Sequence, residues 1–166
     1  MPDECRVAVC DTSPLQYLHQ LGVVEVLAEL YAAVLAPAAV RDELAAGRAM
    51  GVSLPELEVH PWISVRTADP QALPPLPVPL GRGEREALAL AVQTPSAVLL
   101  VDDRQARRCA EFLGLRLSGT LGVLLKARNR GLIARLGPVL DALDGLGFRL
   151  GQATRRKLLA LAAEDS

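Results

Sequence analysis

The chain predicts an α/β fold: three layers, with a central, mostly parallel sheet of about four to five strands and helices on both of its faces. Three observations predict it. Short apolar runs alternate with helical patterns along the whole length. The runs are nearly continuous in Val, Leu and Ala, as in parallel strands buried on both sides. Half of the 166 residues are apolar, 51%, and only 3% are aromatic, so the core is aliphatic.

The elements follow in order. Residues 6–10, RVAVC, read as the first strand. Residues 14–21 and 23–31 read as two helices broken at Gly22. Residues 33–36 form a short second strand, and Pro37 opens a third helix, PAAVRDELAAG, with Gly47 as its stop signal. WISVRT, residues 62–67, alternates and reads as a strand. The next stretch, DPQALPPLPVPLG (residues 69–81), carries prolines that block both helix and central strand, so it is an extended crossover loop inside one domain. GEREALALAVQ, residues 83–93, is helical. AVLLV, residues 97–101, is the most strand-like run of the chain. A helix over 103–113 ends at Gly114, a strand covers 115–118, and a helix over 120–130 ends at Gly131. Helices near 135–143 and 152–164 form a C-terminal helical extension, about 132–166. The whole, 1–166, is one domain. The helices over 14–31 and the last helix offer more apolar surface than one sheet covers, which predicts a homodimer or higher oligomer.

Composition narrows the function. The net charge is −1, so the protein is not a polybasic nucleic-acid binder as a whole. Basic residues gather after Asp103, which leaves room for a local basic face. The apolar runs are broken by charge or proline well short of a membrane span, and MPDECRV lacks the layout of a secretory signal. Cys5, Cys10 and Cys109 show no paired spacing, and the only histidines are His19 and His60. Neither a disulfide framework nor a zinc site is predicted, and the expected setting is the cytoplasm.

The acids carry the chemistry. Asp11 ends the first strand against a helix start, Thr12-Ser13-Pro14. Glu43 lies in the third helix, Glu86 in the EALALA helix, and Asp102 and Asp103 end AVLLV. Ligands in parallel sheets gather at the carboxyl ends of strands. Carboxylates sharing such a crevice repel one another, and a hard divalent cation such as Mg²⁺ or Mn²⁺ relieves that. Each acid also has an ordinary explanation. Asp11 can cap a helix, as can one of Asp102 and Asp103. Glu43 sits among Arg41, Asp42 and Arg48 on what reads equally as a solvated face. Glu84 and Glu86, two apart on a helix, point to different sides. Glu86 starts the Ala-rich face and is the one expected at the site. Arg104, Arg107 and Arg108 recur at helical spacing beside it, as a basic edge or a solvated face paired with Glu111.

Four stretches resemble the PIN-domain family, metal-dependent nucleases that include the toxins of many prokaryotic toxin–antitoxin pairs. CDTSPL resembles the first motif. PAAVRDEL resembles the second, Pro-x-x-Val-x-x-Glu-Leu. EALALA resembles the third, with Glu86 in place of Asp. LLVDDR resembles the fourth, Leu-x-Thr-x-Asp-Arg, which puts Asp103 on the family acid. LSGTLGVLLKARNRG and GFRLGQATRRKLLALA resemble one bacterial PIN-like subfamily. The resemblance implies a Mg²⁺- or Mn²⁺-dependent endoribonuclease. Asp11, Glu43, Glu86 and Asp103 would hold the metal, with Asp102 in support. Thr12 or Ser13 would hold a water or a phosphate oxygen, and Arg104, Arg107 and Arg108 would position RNA. It also implies a small antitoxin protein as partner. Glu86, Val101 for Thr and the extra Asp102 depart from the pattern, and they point to the alternative, a catalytically degenerate module that binds RNA or a partner. A haloacid-type phosphatase is excluded, because its Asp-x-Asp would need an acid where Ser13 stands.

Overall fold

β1 (Val7–Cys10) is a run of small apolar residues, and it takes the middle of the sheet. The computed structural model describes residues 6–164, so Cys5 lies outside the described residues. β2 (Ala33–Pro37) and β3 (Ile63–Arg66) lie to one side of β1, and β4 (Val98–Leu100) and β5 (Arg116–Ser118) to the other. The order is β3-β2-β1-β4-β5 and every pairing is parallel, with Val9 opposite Leu35 on one side and Leu99 on the other.

The period of two along each strand sorts the core into two layers. Ala8, Cys10, Val98 and Leu100 face a layer built by α1 (Thr12–Gln20), α2 (Val26–Leu30), α3 (Ala38–Ala49), α6 (Thr120–Asn129), α7 (Leu136–Gly145) and α8 (Gln152–Leu161). Val9, Leu99 and Val101 face α4 (Arg82–Gln93) and α5 (Arg104–Phe112). The proline-rich stretch is the expected extended crossover, with one 3₁₀ turn at Pro70–Ala72. Its Leu73, Leu76, Val78 and Leu80 pack on the α4–α5 layer.

Three local expectations change. α1 begins at Thr12, before Pro14, so Asp11 stands at its N-cap position. α3 runs through Gly47 and stops only where Gly51 takes φ +85°. At Gly47 the missing side chain makes room for Leu54 instead. A 3₁₀ turn at Leu57–Val59, unmarked in the sequence pattern, buries Leu57 before β3. Most of the apolar surface expected to remain open on the first and last helices is covered inside the chain, and Leu161 on the last helix stays exposed. Leu15, Leu18, Leu27, Leu30, Leu158 and Leu159 are all buried, because α6 packs on α1 and α2, and α7 packs on α6 and α8. Among the described residues no helix is long and apolar enough to cross a membrane.

Candidate functional site

The strand order reverses between β1 and β4, and the crevice of a doubly wound sheet opens at that reversal. Asp11 leaves β1 there and Asp102 follows β4. The Asp11 N–H donates to the Leu100 carbonyl at 3.0 Å, which ties the two strand ends together. Asp11 is only 4% exposed, and although it holds the N-cap position of α1 its carboxylate makes no capping hydrogen bond. Its carboxyl is pushed up to about 7, by burial first. The neighbouring Thr12 N–H favours the ionised form, while the charges of Glu84, Glu43 and Asp102 push it further up.

Those three carboxylates are placed by three other elements. Glu43, on α3, accepts from Thr12 Oγ1 at 2.5 Å and from the Gly83 N–H at 3.1 Å. Gly83 lies in the first turn of α4, and a Cβ there would collide with the Glu43 carboxylate, so only glycine lets the two helices share it. Glu84 follows in the same turn. Its Oε2 lies where a Cβ on Gly81 would come within 2.8 Å. Asp102 accepts from the Thr120 N–H at 2.8 Å and from Thr120 Oγ1 at 2.7 Å, at the start of α6. Gly119 makes this approach possible, since a Cβ there would stand 2.7 Å from Asp102 Oδ1. Burial raises the Asp102 carboxyl, while the Thr120 bonds and the Arg107 charge pull it down.

The acids whose charges act on Asp11 are thus Glu43, Glu84 and Asp102, while the other two expected acids, Glu86 and Asp103, are held by partners of their own. Glu86 is buried, at the start of the Ala-rich face that packs on the sheet, and its carboxylate reaches the start of α3. Its Oε1 lies 3.4 Å from the Ala39 N–H and its Oε2 accepts from Arg82 Nε at 2.9 Å. Arg82 in turn reaches Asp42 at 3.4 Å, so Glu86 fastens α4 to the start of α3. Asp103 is exposed and caps α5, accepting from the Ala106 N–H at 2.9 Å. Two sequence signals separate these residues from their neighbours. Arg82 and Glu86 form an i,i+4 pair of opposite charge. Asp103 immediately precedes the helix and so takes the N-cap, which leaves Asp102 to face the crevice.

The basic edge divides as well. Arg107 Nη1 donates to the Val101 carbonyl at 2.9 Å and so braces the end of β4. Arg104 and Arg108 are exposed, and Arg104 but not Arg108 lines the cavities at this edge. Ser13 lines a cavity of about 400 Å³ with Tyr17, Asp102, Asp103, Phe148 and Arg149. The α7–α8 connection that supplies the last two resembles the family in GFRLGQATRRKLLALA, but nothing in that stretch tied it to the site, because it lies far along the chain from Asp11 and Asp102.

The donors are all oxygens gathered around a buried carboxylate, which suits a hard divalent cation. Among the described residues, however, no three acidic, His or Cys side chains stand close enough together to hold a metal ion. Glu43 and Asp102 are drawn to local donors instead of to each other, as clustered like charges require.

A family model, DUF3368, described as a PIN domain, matches residues 7–164. Among solved structures the chain is similar to a PilT N-terminus domain protein, SSO1118, from the hyperthermophilic archaeon Sulfolobus solfataricus P2. The TM-score is 0.50 at 20% identity, over 73% of this chain and 92% of that one. At this identity the likeness shows the fold. No curated protein matches the chain.

Proposed function

The chain belongs to the PIN-domain family, a superfamily of nucleases, and from that premise we propose that it is a divalent-metal-dependent endoribonuclease. Asp11, Glu43, Glu84 and Asp102 are the acids that would hold Mg²⁺ or Mn²⁺, and they would have to draw closer together to do so. One observation carries the reading: a buried carboxylate at the sheet's switch point is pushed up to about 7 with three further carboxylates as its charged neighbours. A bound divalent ion offsets that repulsion, lowers the pKa of a water and stabilises charge on a phosphoryl oxygen. The chain's own residues prepare the place. Thr12 and Gly83 orient Glu43, Thr120 orients Asp102, and burial keeps Asp11 away from bulk water. Ser13 faces the adjoining cavity, where its hydroxyl can meet a phosphate oxygen.

The test is cleavage of single-stranded RNA by the purified protein. Slow cutting with Mg²⁺ or Mn²⁺ and none with EDTA is expected. Cutting that persists unchanged in chelator would sink the metal mechanism.

A second reading is a degenerate module that binds RNA or a partner without cutting. The acids' failure to converge on one point favours it. Titration calorimetry separates the two: absent Mn²⁺ heat with intact RNA binding supports the module. The family resemblance also supports a role as the toxin of a toxin–antitoxin pair. A small DNA-binding protein encoded in the adjacent reading frame, co-purifying with this chain, is the expected finding.

A further inference from the structure

We propose that the connection between α7 and α8 is a subsite for single-stranded RNA, in which Phe148 receives an unpaired base and Arg149 a phosphate. The inference rests on the nuclease reading above and gives it a strand path.

Two cavities, of about 560 and 400 Å³, have Asp102, Phe148 and Arg149 in common as lining residues. Each falls in the size range of small-ligand pockets, so each has room for a nucleotide. Asp102 is also one of the charges acting on Asp11, so this double cavity begins at the acid group. The larger cavity extends past Arg104 and Ser118 to Thr154 on α8. Its guanidinium groups are a local feature of a chain whose net charge is −1. Arg107 is engaged with the Val101 carbonyl, while Arg104 and Arg149 are exposed and can meet phosphates.

Phe148 supplies what a purely cationic groove lacks. It is partly buried and meets Tyr17 edge-to-face, with ring centroids 5.1 Å apart and planes at 83°. Tyr17 thus leaves at least one face of Phe148 unstacked, and Phe148 lines both cavities. A base can stack there only if it is unpaired, because a duplex keeps its bases inside. An acidic peptide would satisfy Arg149, but a base stacks on the aromatic face without bringing a further charge beside Asp102 and Asp103.

The experiment measures binding of fluorescein-labelled oligouridylate by anisotropy in EDTA, across a salt series, for wild type, Arg149→Gln and Phe148→Leu. Loss of one phosphate contact in Arg149→Gln should weaken binding several-fold and flatten the log–log salt slope by about 0.7. Loss of stacking in Phe148→Leu should weaken binding by about fivefold or more and leave the slope unchanged. Arg149 is exposed, so its variant keeps the test sound if Phe148→Leu melts low. Wild type that binds, with both variants binding equally well, overturns the subsite and leaves the nuclease reading standing. Wild type that binds no oligonucleotide overturns the subsite, and cleavage with Mn²⁺ then decides the nuclease reading by itself. Variants that lose affinity, in a protein that never cuts with Mn²⁺, support the subsite and overturn the nuclease. Equal losses on duplex RNA overturn base stacking, and displacement of the RNA by an equimolar acidic peptide overturns RNA as the occupant in favour of a protein.

Discussion

Asp11 lowers the stability of the fold at neutral pH. In the unfolded chain an aspartate titrates near 4. In the native chain it titrates at about 7, with burial the main cause. Between those values the native state keeps a proton that the unfolded state has released. Stability therefore falls as pH rises through the window, and the full penalty stands above about 7. Asp11→Asn removes the penalty. In chelator the variant should melt several degrees above wild type at pH 7.5 and level with it near pH 4. Added Mn²⁺ should raise the wild-type melting temperature by mass action and the variant's hardly at all. Equal Mn²⁺ shifts would reduce Asp11 to a helix-start residue. A second pair of variants separates the two acids of α4. Glu84→Gln should lose Mn²⁺ affinity at unchanged stability. Glu86→Gln should lose about 1–2 kcal/mol of stability, because it breaks a charged pair whose acid is buried. The reverse pattern in denaturant and calorimetry would return Glu86 to the site. The sequence made the acidic stretches legible but not which neighbour faces the crevice. In GERE and in VDD two acids lie within two positions, and the choice depends on what each helix packs against.

At the scale of elements, most helices and strands were legible because apolar period and breakers agree. α3 was misjudged at its end because Gly47 is needed for packing against Leu54, not for a turn. Capping governs two predictions here. Asp103→Ala removes the cap of α5 and should cost about 1 kcal/mol, read as a melting temperature lower by about 2–4 °C, with Mn²⁺ affinity kept. Loss of that affinity would make Asp103 a ligand after all. Glu164 accepts from the Leu136 and Gly137 N–H groups at 2.6 and 3.0 Å and from Arg128 at 2.8 Å, so it caps α7 and ties it to α6. The Leu136 and Gly137 bonds lead in drawing its carboxyl down to about 2. The stability it provides is present above the usual glutamate value, about 4.3, and is lost as pH falls through the native one. Glu164→Gln should melt below wild type at pH 7, and the gap should close between about pH 5 and 2. A gap independent of pH would show that the charge of Glu164 is not what holds α7.

For the whole molecule, the parallel α/β class was legible and the strand order was not. Order depends on which side of β1 each crossover returns to, and no residue encodes that singly. A homodimer or higher oligomer is still the expectation, with Leu161 of α8 exposed while most of the apolar surface of α1, α2 and α8 is covered. Light scattering at micromolar concentration should report a mass above 17.7 kDa, and a monomer would count against pairing. The reversal of strand order has a consequence for the chain's own synthesis. Asp11 is made first, yet β4 must cross back beside β1 before Asp102 can join it, and Thr120 must follow to hold Asp102 in place. A nascent chain leaving the ribosome thus gains Glu43 and Glu84 first, and carries Asp11 for more than half its length without Asp102. The acid group is complete only when most of the protein has been translated, so its assembly is among the last events of synthesis.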